Sequence, residues 1–600
     1  DEFSQTVRRR LEKSSRTGQA CDRCKVRKIR CDATPGGCTP CRQNNSECRT
    51  IDRITGRATT RGHSDKLEDE IRILRQKVNE YGQQLRDFGV EVQPIEFPAP
   101  YAPPPPQSWN ASATPWAETI QAGPHPGPTF NSTVSSLLQA LPAFRSGAPG
   151  DNYLGVSSAS SYLSTITGTS LQFFGMKIDV ADFAPNDTDD ITSPASYEFF
   201  VSAVLGRLPV PQQEMPLPNT EAEMGVYADW YFRTLSPYTP ILHKPTFMYM
   251  VCRFQYNDPS FKPSPAETVM MHMMLAHLKY QLGQRNQDKN STDEAHAHYR
   301  LCLGLFYDLT ISPKLEDVQA MALISIHLRN FTKPGAAWMM TRKAFDVAIE
   351  LGLHRSAKAW SEETKMDDLE IETRKRVFWS LHGLHVHLSG KLGRPMPIRM
   401  EDVDIEFPEP VNDNLHTEAP KCSFLVGIQA CKITALLSQM YSSIYAVRRD
   451  PLAHEQTVRR LEELLHQWRN DIPHEISDPS RCKDENRVFA LYVQYWDAEF
   501  QLLLHHPAIC LSTNPEFVTQ NSNICLMAAT KMLQVVEQLQ QFNSLDLPWI
   551  NVTVYLAAIF TTLFVQSQRQ EPITLIEMEK LRRDMAIWLD VMGEIGKLLG

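Results

Sequence analysis

The chain has 600 residues, 42% of them hydrophobic, and a formal net charge of −9. That charge is unevenly placed: residues 1–64 hold 15 Lys/Arg against 7 Asp/Glu, a net of +8, and the remainder carries −17. The length suits several domains, and a basic head on an acidic body is what one polyanion-binding end predicts.

Residues 1–20 form a basic, polar tail with Arg8-Arg9-Arg10 and no apolar leader. The longest apolar stretch, Val552–Val565, is interrupted by Thr553, Thr561 and Thr562 and is too short to span a bilayer, so a core helix is predicted there. The expected compartment is intracellular and reducing, which argues against a disulfide framework.

Six of the 13 cysteines fall in residues 21–48: Cys21, Cys24, Cys31, Cys38, Cys41 and Cys48. The pattern is C-x2-C-x6-C twice in tandem. Two tetrahedral zinc ions need eight ligand positions, so six thiolates suffice only if two of them bridge. The repeat makes Cys21 and Cys38 the natural bridges. One ion then takes Cys21, Cys24, Cys31 and Cys38, and the other Cys38, Cys41, Cys48 and Cys21. A single four-cysteine ribbon would leave two sulfurs idle, and an iron–sulfur site would leave the cations between the ligands unexplained. The other cysteines, dispersed from Cys252 to Cys525, read as reduced thiols packing as small hydrophobes.

The segment ACDRCKVRKIRCDATPGGCTPCRQNNSEC is similar to the zinc binuclear cluster of fungal transcription factors, the family of the yeast galactose regulator. The match covers all six ligands. One departure is the Pro35-Gly36-Gly37 run before Cys38, where the family usually has Pro one or two places before that cysteine.

Between Cys24 and Cys31, four of six residues are cationic: Lys25, Arg27, Lys28 and Arg30. Metal ligation at both ends lets so short a helix form. Thr39-Pro40 reads as a cap and first residue of a second helix. The resemblance implies that the first helix enters the major groove and reads a CGG triplet. It maps the family's key lysine onto Lys28, with Arg27 beside it. A cation there donates to guanine O6 and N7. Lys25, Arg30, Arg23 and Arg42 are cast as phosphate contacts that fix register.

Residues 49–66 read as a polar linker carrying Arg49, Arg53, Arg57 and Arg61. Residues 67–88 then place Ile71, Val78 and Leu85 at heptad position a, and Leu67, Leu74, Tyr81 and Phe88 at d. This predicts a parallel two-stranded coil, with Glu70 and Arg75 pairing across the dimer. The alternative is one amphipathic helix packed on its own chain. A homodimer would set two clusters on two half-sites.

Residues 89–220 are assigned as a largely disordered Pro/Ser-rich linker, including Pro103–Pro106. The acidic run 179–191 reads as an exposed loop or an activation-like segment. From 221 the apolar spacing turns helical. Phrases at 231–247, 315–330, 336–355 and 374–398 resemble the middle homology region of the same family, which places a fungal-specific transcription factor domain at 221–420. His385-Val386 stands where the family often has Asp-Arg, so a local ion pair is expected to be missing. Gly393-Arg394-Pro395 reads as a helix stop. Residues 421–600 continue as helices, among them 457–470, 486–504, 524–542 and 573–599.

The fold class predicted is therefore mainly α, with a small two-zinc, six-cysteine DNA-binding domain ahead of a short coiled coil and a large all-α regulatory domain. No phosphate loop, dinucleotide fingerprint or HExxH motif is present, and His272/His277, His296/His298 and His505-His506 lack metal-ligand spacing. A non-enzyme is expected. The function expected is a nuclear, sequence-specific RNA polymerase II transcription factor that holds two Zn2+ per chain. Its expected partners are CGG-containing double-stranded DNA, a second copy of itself and transcriptional co-regulators, with no membrane. The alternative is a zinc module serving protein–protein contact without DNA specificity of its own.

Overall fold

The computed structural model describes residues 24, 38–44, 48–51, 58–60, 143–144, 153–155, 157, 193–206, 215–218, 220–255, 261–331, 334–359, 366–413, 422–446, 453–511, 514–546, 548, 551–567 and 572–599. The chain divides into two compact units, Asp1–Gly127 and Pro128–Gly600. The described part of the first unit holds a short helix α1 (Thr39–Gln43) and an antiparallel pair, β1 (Arg49–Ile51) with β2 (Ala58–Thr60), in the register Arg49↔Thr60 and Ile51↔Ala58. The expected linker 49–66 is thus a β-hairpin over its first part. Thr50, Ile51, Thr59 and Thr60 are the β-branched residues that favour it. The heptad segment 67–88 lies outside the described residues.

The second unit is mainly α, as the sequence predicts. Helix α2 (Tyr197–Val204) lies inside the stretch assigned as linker. The Ser196 side chain accepts from the Phe199 N–H and caps it, and Phe199, Phe200 and Ala203 enter the core. Linker composition does not reach this far, because two adjacent phenylalanines repay the ordering. The short pair β3 (Ala143–Phe144) and β4 (Tyr153–Leu154) also lies in that stretch. The acidic run 179–191 lies outside the described residues.

Helices α3 (Glu221–Thr234) and α4 (Lys244–Gln255) lead into α5 (Pro265–Asn286). Ser264 and Glu267 form a capping box with Pro265 in the first turn, so the start of α5 is written in three residues. Val269, Met271, Met273, Met274, Leu275 and Ala276 of α5 are all buried, on every side of the helix. Such a helix runs through the core rather than over it. It packs on α6 (Lys289–Gly304) and α8 (Leu315–Leu328), with the single turn α7 (Asp308–Ile311) between those two. Then come α9 (Pro334–Glu350) and α10 (Asp368–Leu392).

Helix α10 ends as predicted. Gly393 adopts φ +69°, and a Cβ on Gly155 would lie 1.7 Å from the Gly393 carbonyl oxygen. The Gly155 N–H donates to Leu392 O at 2.9 Å, and Ser157 Oγ donates to Gly390 O at 2.6 Å. The segment after β4 is therefore fastened to the end of α10 through glycine-only contacts on both sides.

The C-terminal helices are α11 (Leu425–Ser443), α12 (His454–Asn470), α13 (Asp484–Leu511), α14 (Pro515–Gln541), α15 (Val552–Ser567) and α16 (Leu575–Leu599). Helix α14 begins nine residues before the predicted 524, because Asn514 caps it and Pro515 opens it. Helix α13 runs past the predicted 504 and through Pro507. Among the described residues, no helix is long and apolar enough to cross a membrane. Helix α15 is the core helix read from Val552–Val565, with Val554, Tyr555, Ala557 and Ala558 buried.

Two apolar clusters form the interior, one around α5, α8 and α9, the other around α11 to α16. They do not separate at residue 420. Cys431, Ala435 and Leu598 belong to the first cluster, and Val386 belongs to the second. Helix α10 serves both.

Candidate metal centre and the polar interior of the helical unit

The described cysteines of residues 21–48 converge. Cys24, Cys38 and Cys41 are fully buried and Cys48 is 5% exposed, in a cluster made only of cysteines. The sulfurs of Cys24, Cys38 and Cys41 lie within 4.8 Å of one another, and Cys24 Sγ is 3.6 Å from Cys38 Sγ. Zinc–sulfur bonds of ~2.3 Å in a tetrahedron put neighbouring sulfurs about 3.8 Å apart. The Cys24–Cys38 distance is thus that of two ligands on one ion, so this donor set fits zinc. The Cys38 backbone N–H donates to Cys48 Sγ at 3.5 Å.

Helix α1 delivers Cys41 to the cluster. Its cap is Cys38 rather than Thr39, and Pro40 sits in the first turn, one position later than the sequence suggests. The Cys38 carbonyl accepts from both Cys41 N and Arg42 N at 3.0 Å, which fixes Cys38 and Cys41 on one side of the turn. Arg42 is exposed beside them. Cys21 and Cys31, the cations Arg23, Lys25, Arg27, Lys28 and Arg30, and the heptad residues Leu67, Ile71, Leu74, Val78, Tyr81 and Leu85 lie outside the described residues.

Among the described residues, the cysteine cluster is the one group of three or more His, Cys, Asp or Glu side chains close enough to hold a metal. The histidines of the second unit do something else. His272 Nδ1 lies 2.8 Å from His298 Nδ1, and His277 Nε2 donates to Leu323 O at 2.9 Å. His277 stacks on His327 with centroids 5.7 Å apart. Burial pushes His272, His277, His296 and His382 down to about 4, and His298 and His385 down to about 3. These rings are neutral packing groups. His385 and Val386, where a local ion pair was expected to be missing, are both buried, and His385 Nδ1 meets Ser389 Oγ at 3.0 Å. Of the dispersed cysteines, Cys302, Cys431, Cys482 and Cys525 are buried and in no disulfide, while Cys252 and Cys422 are half-buried.

Two buried charge networks escaped the sequence reading. Arg376 donates to both oxygens of Asp413 at 2.8 and 3.0 Å and to Glu372 Oε1 at 3.1 Å, and its guanidinium lies 4.0 Å from the centroid of Phe424. Farther along α10, Lys391 Nζ is 3.0 Å from Glu499 Oε1 and donates to Asn551 Oδ1 at 2.7 Å. Asn551 Nδ2 donates to Asp546, which pairs with Arg329 at 3.0 Å. This string links α8, α10, α13 and the chain entering α15. Lys391 lies 160 positions from Asn551 and Arg329 lies 217 from Asp546, so spacing along the sequence carries no signal for these pairs.

The profile of the fungal Zn(2)-Cys(6) binuclear cluster domain matches residues 19–58, and that of the fungal specific transcription factor domain matches residues 228–470. Among curated proteins, the chain is 25% identical over 549 residues to the transcriptional activator protein acu-15 of Neurospora crassa, covering 88% of this chain and 55% of that protein. It is 21% identical over 523 residues to an ABC-transporter-regulating transcription factor of Aspergillus oryzae, covering 80% and 58% respectively. The Aspergillus fumigatus protein of the same description is 21% identical over 539 residues, covering 82% and 58%. The chain thus spans a little over half the length of these relatives.

Proposed function

Because the chain belongs to the fungal Zn(2)-Cys(6) transcription factor family, we propose that it is a nuclear RNA polymerase II regulator that binds CGG-containing DNA as a homodimer. In this reading two zinc ions are held by Cys21, Cys24, Cys31, Cys38, Cys41 and Cys48, with Cys21 and Cys38 bridging. The observation that carries it is the convergence of Cys24 and Cys38, 14 positions apart, to 3.6 Å between sulfurs. The Cys38 sulfur lies within 4.8 Å of those of both Cys24 and Cys41, which supports a ligand common to the two sets.

The metal's part is to draw the thiolates together and make a short turn rigid. The chain's own residues then meet the DNA. Lys28 donates to a guanine edge with Arg27 beside it, and Lys25, Arg30, Arg23 and Arg42 hold phosphates. The heptad Leu67, Ile71, Leu74, Val78, Tyr81 and Leu85 pairs two copies, so that two half-sites are read together. The non-enzymatic assignment is supported by the relatives, which are named as transcription regulators.

Selection of bound DNA from a random pool with the full chain tests the proposal. Enrichment of paired CGG triplets at a fixed spacing is expected, with Lys28→Ala weakening binding to the selected site by ~1–3 kcal/mol. Recovery of unpatterned DNA would overturn it.

A further inference from the structure

A cavity of about 450 Å3 opens at the seam between the two apolar clusters of the helical unit. That volume is within the range of small-molecule sites, roughly 300–1,000 Å3. Its walls come from both clusters: Tyr231, Leu278 and Trp379 from one, Phe489, Tyr495 and Tyr555 from the other. Tyr238 and Trp496 add further ring faces, their centroids 6.5 Å apart. An aromatic wall of this kind is suited to an apolar body, and a space this large is not a packing defect of ordinary size.

The charges on the walls decide which apolar molecule fits. Among the described lining residues, Arg233, Arg285, Arg329 and Lys391 are cationic and Glu485, Glu499 and Asp546 are acidic. Each carboxylate already has its cation. Arg233 pairs with Glu485 at 2.9 Å, Lys391 with Glu499 at 3.0 Å and Arg329 with Asp546 at 3.0 Å. Arg285 alone of the four is met by carbonyl oxygens only, those of Asn543 and Leu545. The cavity therefore carries one uncompensated positive charge. Lys391 and Glu499 are 4% and 2% exposed, and a buried ion pair is poor value for stability compared with apolar packing. His387 faces the same space beside Lys391 and Arg329 as a neutral ring, held so by burial and those cations. Its N–H adds a donor without adding charge.

We propose that this cavity is a binding site for a small apolar organic acid. The hydrocarbon or aromatic body lies against Tyr231, Trp379, Tyr495 and Trp496, and the carboxylate accepts hydrogen bonds from Arg285. Since both clusters contribute walls, the bound acid ties α3 and α5 to α13 and α15.

The experiment titrates the full chain with β-naphthoate, phenylbutyrate and decanoate, and with the primary amide of each, by calorimetry and tryptophan fluorescence. Trp230, Trp379 and Trp496 line the cavity and serve as reporters. At least one acid is expected to bind, with its amide weaker by at least about tenfold, the scale of one charge-assisted hydrogen bond. Arg285→Met should bring the acid to the affinity of the amide. Gly383→Leu fills the cavity from α10. A Cβ there meets nothing closer than Thr434 Oγ1 at 3.8 Å, and leucine favours a helix over glycine, so the fold is kept. This variant should lose at least about tenfold in affinity for acid and amide alike with its melting temperature unreduced. Failure of all three acids to bind, equal binding of acid and amide, or wild-type binding by Gly383→Leu would each overturn the proposal. No arm involves DNA, so the outcome is separate from that of the DNA selection.

Discussion

His272 and His298 face each other through their Nδ1 atoms, 2.8 Å apart, in the interior of α5 and α6. Burial keeps both rings neutral, so one Nδ1 donates, the other accepts, and the two hold complementary tautomers.

This makes the helical unit acid-sensitive. Unfolded histidines protonate near pH 6.5, whereas burial holds His272 and His277 at about 4 and His298 at about 3. Between those limits the unfolded chain binds more protons than the folded one, so stability is intact above about 6.5 and falls as the pH drops toward 4. Two such rings alone give a slope of about 2.7 kcal/mol per pH unit. Urea melts of the full chain from pH 7 to pH 4.5 measure it; a flat midpoint across that range would contradict it.

Arg376→Met should be among the most damaging single changes. It removes both bonds to Asp413 and the bond to Glu372, and leaves the buried Asp413 carboxylate without its cation. Breaking a buried pair from one side costs roughly 3–5 kcal/mol. Arg376→Lys should fall between the two, since an ammonium keeps the charge but not the two-pronged geometry. Denaturant midpoints of the three proteins check the order.

Gly390 is packed face to face with Tyr441. A Cβ at 390 would sit 2.1 Å from Tyr441 Cε2 and 2.3 Å from its Cζ. Gly390→Ala is therefore expected to destabilise by ~1–3 kcal/mol through overpacking, although alanine favours a helix. Gly390→Ala with Tyr441→Leu should recover much of the loss. Thermal melts of the single and double variants decide it.

Chelation should separate the two units. Among the described residues the cluster holds only cysteines, so removing metal takes away what draws them together. Loss of DNA binding is expected with the helical circular dichroism of the second unit unchanged. On the proposed sharing of Cys38 between two ions, Cys38→Ser should abolish DNA binding even with excess zinc. Electrophoretic mobility and far-ultraviolet spectra on the same samples read both effects.

What the sequence disclosed follows the range of the interactions. The cysteine spacing and the Gly393 stop of α10 are local, and each was readable from a few neighbouring residues. The helix start at Asn514-Pro515 is just as local, but it lay ahead of a run with few apolar residues, where periodicity is weak. Helix α2 is apolar at six of its eight residues, but so short a run shows no period inside a stretch assigned by its Pro and Ser content. The Lys391–Glu499 and Arg376–Asp413 pairs and the aromatic cavity depend on how helices pack, which the spacing of residues along one chain does not record.

Helix α10 places Phe378 and Leu381 in one apolar cluster and Val386 in the other. The family match stops at residue 470, while the cluster that covers Val386 draws on Leu504, Val536 and Val591. The family profile and the cooperative core therefore end at different places along this chain. A fragment cut at residue 470, where the profile match stops, would keep the spine and strip one flank, leaving Val386, Met440 and Leu465 facing water and an aggregate in place of a domain.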